Sequence, residues 1–127
     1  MCQGRQSEPR GMLKALFTAE DEVHRRTGRY TASLRELDFA SERFSRYLYG
    51  FSGQGAEGVA IPENHPVKPS DLPAGTGAGK DHFRAGAAGR PDTRTNDLDV
   101  WIIDESGTLE NVSNACEWTR FLMFKKG

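Results

Sequence analysis

Gly75-Thr-Gly-Ala-Gly-Lys80 has the glycine and lysine content of a loop that cradles phosphate on backbone N–H groups. Such a loop also needs a glycine five positions before the one that precedes the lysine, and Ser or Thr after the lysine to hold magnesium. Those positions are Ala74 and Asp81, no apolar strand leads in, and the Asp81 charge would repel phosphate. The segment is expected to be a loop that binds no nucleotide. His24, His65 and His82 have no metal-ligand spacing and no cysteine pair beside them, so they are expected at the surface. Asp97, Asp99 and Asp104 flank an apolar run and offer the oxygen donors that calcium takes, but no dense acidic, glycine-rich loop gathers them. Capping of turns is the plainer use of such side chains. Asn111-Val-Ser113 is a glycosylation tripeptide of a kind that arises often by chance. No Ser-His-Asp, Cys-His or paired-carboxylate arrangement has a context that raises it above background. The basic residues are spread out, without the aromatic-interleaved stripe of a nucleic-acid reader. The expectation is no catalytic residue, no metal and no cofactor.

The elements that would position any site begin with a helix over residues 7–27. At ~100° per residue, Met12, Leu13, Leu16, Phe17, Ala19 and Val23 share one face, and Lys14, Thr18, Asp21 and Arg25 the other. Ser7 is placed to cap the start, Pro9 is tolerated in the first turn, and Gly28 can take the left-handed conformation that ends a helix. Glu20 falls inside the apolar stripe. Buried, it needs a partner, either an arginine such as Arg46 or backbone at the sheet edge; at a wet margin it needs none. Residues 30–46 are turn-rich, with Ser33 placed to cap a turn carrying Leu34 and Leu37.

Tyr47, Tyr49 and Phe51 alternate with Leu48 and Gly50, a strand signal over 47–51. Residues 52–81 hold most of the Gly and Pro and show no period, so they are expected to be a variable loop without regular structure. A weak, small-residue strand is expected over 82–88. The strongest strand signal spans Leu98–Asp104, turning through Glu105-Ser106-Gly107 and returning antiparallel over 108–112. Trp118–Phe124 suggests an extra strand, and Lys125 and Lys126 suit a protected sheet edge.

With 127 residues the chain has the size of one domain, and 36% hydrophobic against 28% charged residues allows one modest core. A net charge of −1 implies no general attraction to nucleic acid or to anionic membranes. The longest apolar runs, Val100–Ile103 and Phe121–Phe124, fall far short of the roughly 20 residues of a membrane span. Cys2 and Cys116 lie at opposite ends and are expected to be free or externally paired in preference to bridged with each other. A long helix followed by strands predicts an α+β fold in which a long N-terminal amphipathic helix packs on a small antiparallel β-sheet. The residues expected at that contact are Met12, Leu13, Leu16, Phe17, Val23, Trp101 and Ile103.

Four segments in this order resemble the type IV pilin and pseudopilin family. Arg5–Asp21 resembles the exposed half of its long N-terminal helix, and Thr27–Phe39 the stretch leaving that helix. Arg46–Gly50 resembles the first sheet strand, and Leu98–Leu109 the late strand-turn-strand. The resemblance covers roughly residues 5–51 and 83–116, and it rests on order and spacing, since no segment is a strict motif. It implies a bacterial structural protein that polymerises into a pilus or pseudopilus, with other copies or other pilins as partners. Acidic loops in the pseudopilin branch bind calcium, and the aspartates here do not form one.

The family's leader and apolar helical half do not precede Met1. The resemblance therefore implies a headgroup whose filament core comes from a longer chain or from a separate helix-only pilin partner. The implied location is a cell-surface or extracellular filament, anchored in the inner membrane before assembly and touching membrane only through that helix. Trp118, Phe121, Leu122 and Phe124, which have no counterpart in the family, are candidate partner contacts. The alternative reading is a non-polymerising binding module of the same fold that uses the 52–81 loop; a small enzyme is a more distant one.

Overall fold

The computed structural model describes residues 2–39, 46–52, 59–60, 67–91 and 97–116 and, of residues 2, 3, 59 and 60, the backbone alone. A one-turn helix α1 (Cys2–Arg5) leads through Gln6 into α2 (Ser7–Thr27). The strands are β1 (Tyr47–Gly50), β2 (Val59–Ala60), β3 (Gly77–Ala78), β4 (Phe83–Gly89), β5 (Asp99–Asp104) and β6 (Leu109–Ser113). They form one antiparallel sheet in the order β2-β1-β4-β5-β6, with β3 paired to the start of β4. One helix packed on one small antiparallel sheet is an α+β architecture.

The periodicity of α2 decides which face is buried. Leu13, Leu16, Glu20 and Val23 point into the protein, and Lys14, Thr18, Asp21 and Arg25 face solvent. Met12, Phe17 and Ala19 lie at the margin, half-buried against the same core. Full burial of a large aliphatic side chain contributes about 1.5–3 kcal/mol, so Leu13, Leu16 and Val23 together outweigh the helix's exposed ion pairs. Those pairs, Arg25 with Asp21 at 2.9 Å and with Glu22 at 3.9 Å, lie among well-solvated side chains.

The helix ends as its sequence dictates. Gly28 adopts φ +84°, and its N–H donates to the carbonyl of His24 at 2.8 Å. The start differs from expectation. Gln6 is itself helical and occupies the cap position, while the Ser7 hydroxyl donates back to the carbonyl of Gly4. With α1 running into α2, Ser7 has no free first-turn N–H groups to cap.

Alternation along the strands separates two faces. Tyr47, Tyr49, Phe51, Phe83, Ala85, Ala87, Trp101 and Ile103 join the helix side chains and Leu34 and Leu37 in the main core. Leu48, Ala88 and Val100 form a second cluster on the other face with Val67 and Leu72. β4 is central, not the weak strand its composition suggests. Its small residues let the helix approach on one face and the 67–76 segment on the other. A Cβ on Gly86 would lie 2.6 Å from Pro73 Cγ, so only glycine fits under that segment.

The expectation of no regular structure over 52–81 is corrected by β2, β3 and a 3₁₀ turn at Pro69–Asp71. Pairing with β1 and β4 supplies what local periodicity did not. The expected strand over 118–124, with Trp118, Phe121, Leu122 and Phe124, lies outside the described residues, as do Lys125, Lys126 and His65.

Candidate functional site

Two of the buried polar side chains, Gln6 and Asp99, meet where the helix starts. Asp99, the first residue of β5, is fully buried on the helix-facing side of the sheet. Its Oδ2 accepts the Tyr47 hydroxyl at 2.6 Å and the Trp101 indole N–H at 2.7 Å. Its Oδ1 accepts the Gln6 side-chain amide at 2.9 Å, the Ala115 backbone N–H at 3.1 Å and the Asn111 amide at 3.4 Å. One carboxylate thus ties together the α1–α2 junction, β1, β5, β6 and the chain after β6. A buried charge survives only when such donors replace water. Burial, and then the hydrogen bond to Asp99, pushes the Tyr47 phenol far above its ordinary range.

Further contacts reinforce the same end. The Gln6 amide also donates to Asn114 at 2.9 Å, and the Tyr49 hydroxyl donates to the Glu8 carboxylate. The Arg10 guanidinium sits 5.2 Å over the Trp101 ring. Arg5 and Arg46 donate to the carbonyls of Pro91 and Arg90, both at 2.5 Å. Cys116 is buried and disulfide-bonded, and Cys2 is the chain's other cysteine. This corrects the expectation of free or externally paired thiols. The fold brings the end of β6 to the helix start, which sequence separation alone conceals.

At the far end of the helix, Glu20 is fully buried, and its Oε1 accepts the Thr31 backbone N–H at 2.9 Å. Neither Arg46 nor the wet margin describes it. Arg46 is engaged at the opposite end, and the partner is backbone in the segment leaving the helix. Burial raises the Glu20 carboxyl to about 7, against the lowering effect of the Thr31 N–H and with a small push from Glu36. In this arrangement it is sealed from solvent.

The residues expected at the helix–sheet contact are brought together. Leu13, Leu16, Val23, Trp101 and Ile103 are core residues, and Met12 and Phe17 flank them. The aspartates do not converge. Asp99 is the buried hub. Asp104 caps the β5–β6 turn, accepting the Ser106 hydroxyl at 2.6 Å and, less importantly, the Ser106 N–H at 3.0 Å, which together lower its pKa. Asp97 is exposed. Gly75–Lys80 is drawn into β3 and its turn to β4, where Gly79 N–H donates to the His82 carbonyl at 2.8 Å. No helix follows to present N–H groups to a phosphate. His24 stacks on Tyr30 with ring centroids 4.2 Å apart, and His82 is exposed.

Residue type and spacing do not pair Gln6 with Asp99. The available signal is the alternation itself, which puts Asp99 on the same face as Trp101 and Ile103, where a carboxylate must find donors. No protein-family model and no curated protein matches the chain.

Proposed function

We propose that this chain is the headgroup of a type IV pilin-like filament subunit, bacterial and cell-surface, that works by assembly and not by catalysis. The observation that carries the reading is the helix laid across an antiparallel sheet and fastened at its start. Asp99, Gln6, Tyr49–Glu8 and the Cys116 disulfide hold the first turns of the helix to the sheet. A filament whose core is made of helices loads each headgroup through that junction, and a loosely attached helix would let the headgroup swing. The polar face of α2, with Lys14, Thr18, Glu22 and Arg26 exposed, is free to meet neighbouring copies. In this reading the filament core is an apolar helix in line with α1–α2, or one supplied by a separate helix-only pilin chain. The alternative, a binding module built on the 52–81 loop, draws no support from residues 67–76, where Val67, Leu72 and Thr76 are spent covering the sheet.

The test is electron microscopy of the full gene product, and of this chain co-expressed with a helical pilin partner. Filaments decorated by antibody to this domain are the expected outcome. Monodisperse protein under both conditions would overturn the proposal.

A further inference from the structure

The fastening at the helix start leaves one buried acid at the other end unexplained. Glu20 Oε2 is buried and meets no hydrogen-bond donor among the described residues, while Oε1 holds the Thr31 N–H. Thr31 in turn donates its hydroxyl to Glu36 at 2.6 Å and accepts the Ser33 N–H at 3.1 Å. Thr31 therefore stands between two carboxyl groups, one sealed and one exposed. A pocket of about 280 Å³, lined by Val23, Thr27, Arg29, Tyr30, Thr31 and Glu36 among others, opens beside it.

The groups around Glu20 offer an ionised carboxylate little. Glu36, from the 33–37 turn, is of like charge. Tyr30 is a phenol raised first by burial and then by carboxylates that include Glu20. His24, one turn on along the helix, is engaged with the Lys80 carbonyl at 3.1 Å. Arg29 lines the pocket and forms no ion pair with Glu20 among the described residues. From the sheet, β4 and β5 present Phe83, Ala85 and Ile103, without charge. Among the described residues one backbone N–H is thus the only partner for a charge in this place, and water comes by displacing the segment that holds that N–H.

We propose that Glu20 is a proton-controlled latch: protonated, it closes the Thr31–Ala32 stretch onto the helix; ionised, it draws water through the Thr27–Glu36 pocket and releases that stretch, while Tyr30 stays held by its N–H bond to the Gly79 carbonyl and its stacking on His24. The motion is local. Leu34 and Leu37, at 4% and 6% exposure, keep the following turn in the core, and the Gly28 cap keeps the helix end. The proton leaves to solvent through the same opening, and the helix–sheet contact is untouched. The latch does not depend on the filament reading.

The experiment is NMR on the labelled full chain, following the Glu20 carboxyl carbon through a pH titration. Amide exchange at Thr31 is measured alongside at pH values about one and a half units either side of 7, corrected for intrinsic rates. Glu20 should titrate near 7, and Thr31 protection should fall about tenfold or more on the alkaline side. E20Q should remove that fall, and E36Q should move both midpoints to lower pH. A Glu20 carboxyl that titrates near 4.5, Thr31 protection independent of pH, or an equal fall in E20Q would each overturn the latch. Should E20Q fail to fold, the direction of the E36Q shift decides alone.

Discussion

Replacing Asp99 by Asn (D99N) changes one atom at the point where five donors meet, and the cost can be worked from their positions. An amide presents one acceptor and one donor group in place of two acceptors. If the NH₂ takes the Oδ2 position, the Tyr47 hydroxyl can turn and accept, but the Trp101 indole N–H loses its acceptor. If it takes the Oδ1 position, the Gln6 amide, the Ala115 N–H and the Asn111 amide all face a donor. The first arrangement is cheaper. An orphaned buried N–H costs about 1–3 kcal/mol, and each of the three retained bonds loses its charge assistance, about half its strength.

The sum is about 3–5 kcal/mol, towards the lower end because the variant no longer buries a charge. Stabilities of single domains lie around 5–15 kcal/mol, so most of the folding margin is at stake. Urea denaturation at neutral pH, followed by tryptophan fluorescence, measures it. At an m-value near 2 kcal/mol/M, the midpoint should drop by about 2 M. Y47F, which removes one donor, should cost about 1 kcal/mol in the natural chain and clearly less in D99N, because both act on one network. A D99N loss below about 1 kcal/mol, or strict additivity with Y47F, would refute the hub.

Glu20 sets a pH dependence whose sign follows from its raised pKa. Folded, it holds its proton up to about 7; unfolded, it releases it near 4.5. Stability therefore falls as pH rises between those values, by about 1.4 kcal/mol per pH unit or about 3 kcal/mol in all, and then levels. E20Q should flatten this profile, matching the natural chain near pH 4.5 and exceeding it at pH 8, as read by thermal melts across the range. C116S removes the disulfide, whose loop closure restrains the unfolded chain, and should cost about 2–4 kcal/mol, with amide exchange at Gln6 rising at least as much as at Val23. G86A places a methyl group 2.6 Å from Pro73 Cγ and 2.8 Å from its Cδ, so the 73–76 segment must lift. A loss of about 1–3 kcal/mol in denaturant unfolding is expected.

What could be read from the residues alone was the local part. The stripe of Leu13, Leu16 and Val23 repeats at the helical period, and Trp101 and Ile103 alternate beside a turn whose residues announce it. The aromatic alternation around Tyr47 and Tyr49 likewise places β1. What escaped was set by distant partners. β4 is expected only as a weak strand over 82–88, and its residues, mostly Ala and Gly, do not show that it lies at the centre of the sheet, between β1 and β5. Pro73 and Thr76 sit in aperiodic sequence and are ordered by the face of the sheet they cover. The Asp99 hub joins residues as far apart in sequence as Gln6 and Ala115, and no local pattern holds both. Glu20 was legible as an acid in the wrong place, but its partner, a backbone N–H, has no signature in residue type.

In the filament proposed above, the orientation of this domain is the most direct test. A helical reconstruction by cryo-electron microscopy should place the Gln6–Asp99 junction nearest the fibre axis, α2 running outward from it and the β5–β6 turn towards the surface. A fibre with α2 facing solvent and its start on the outside, or a lattice held by the sheet edges alone, would contradict it.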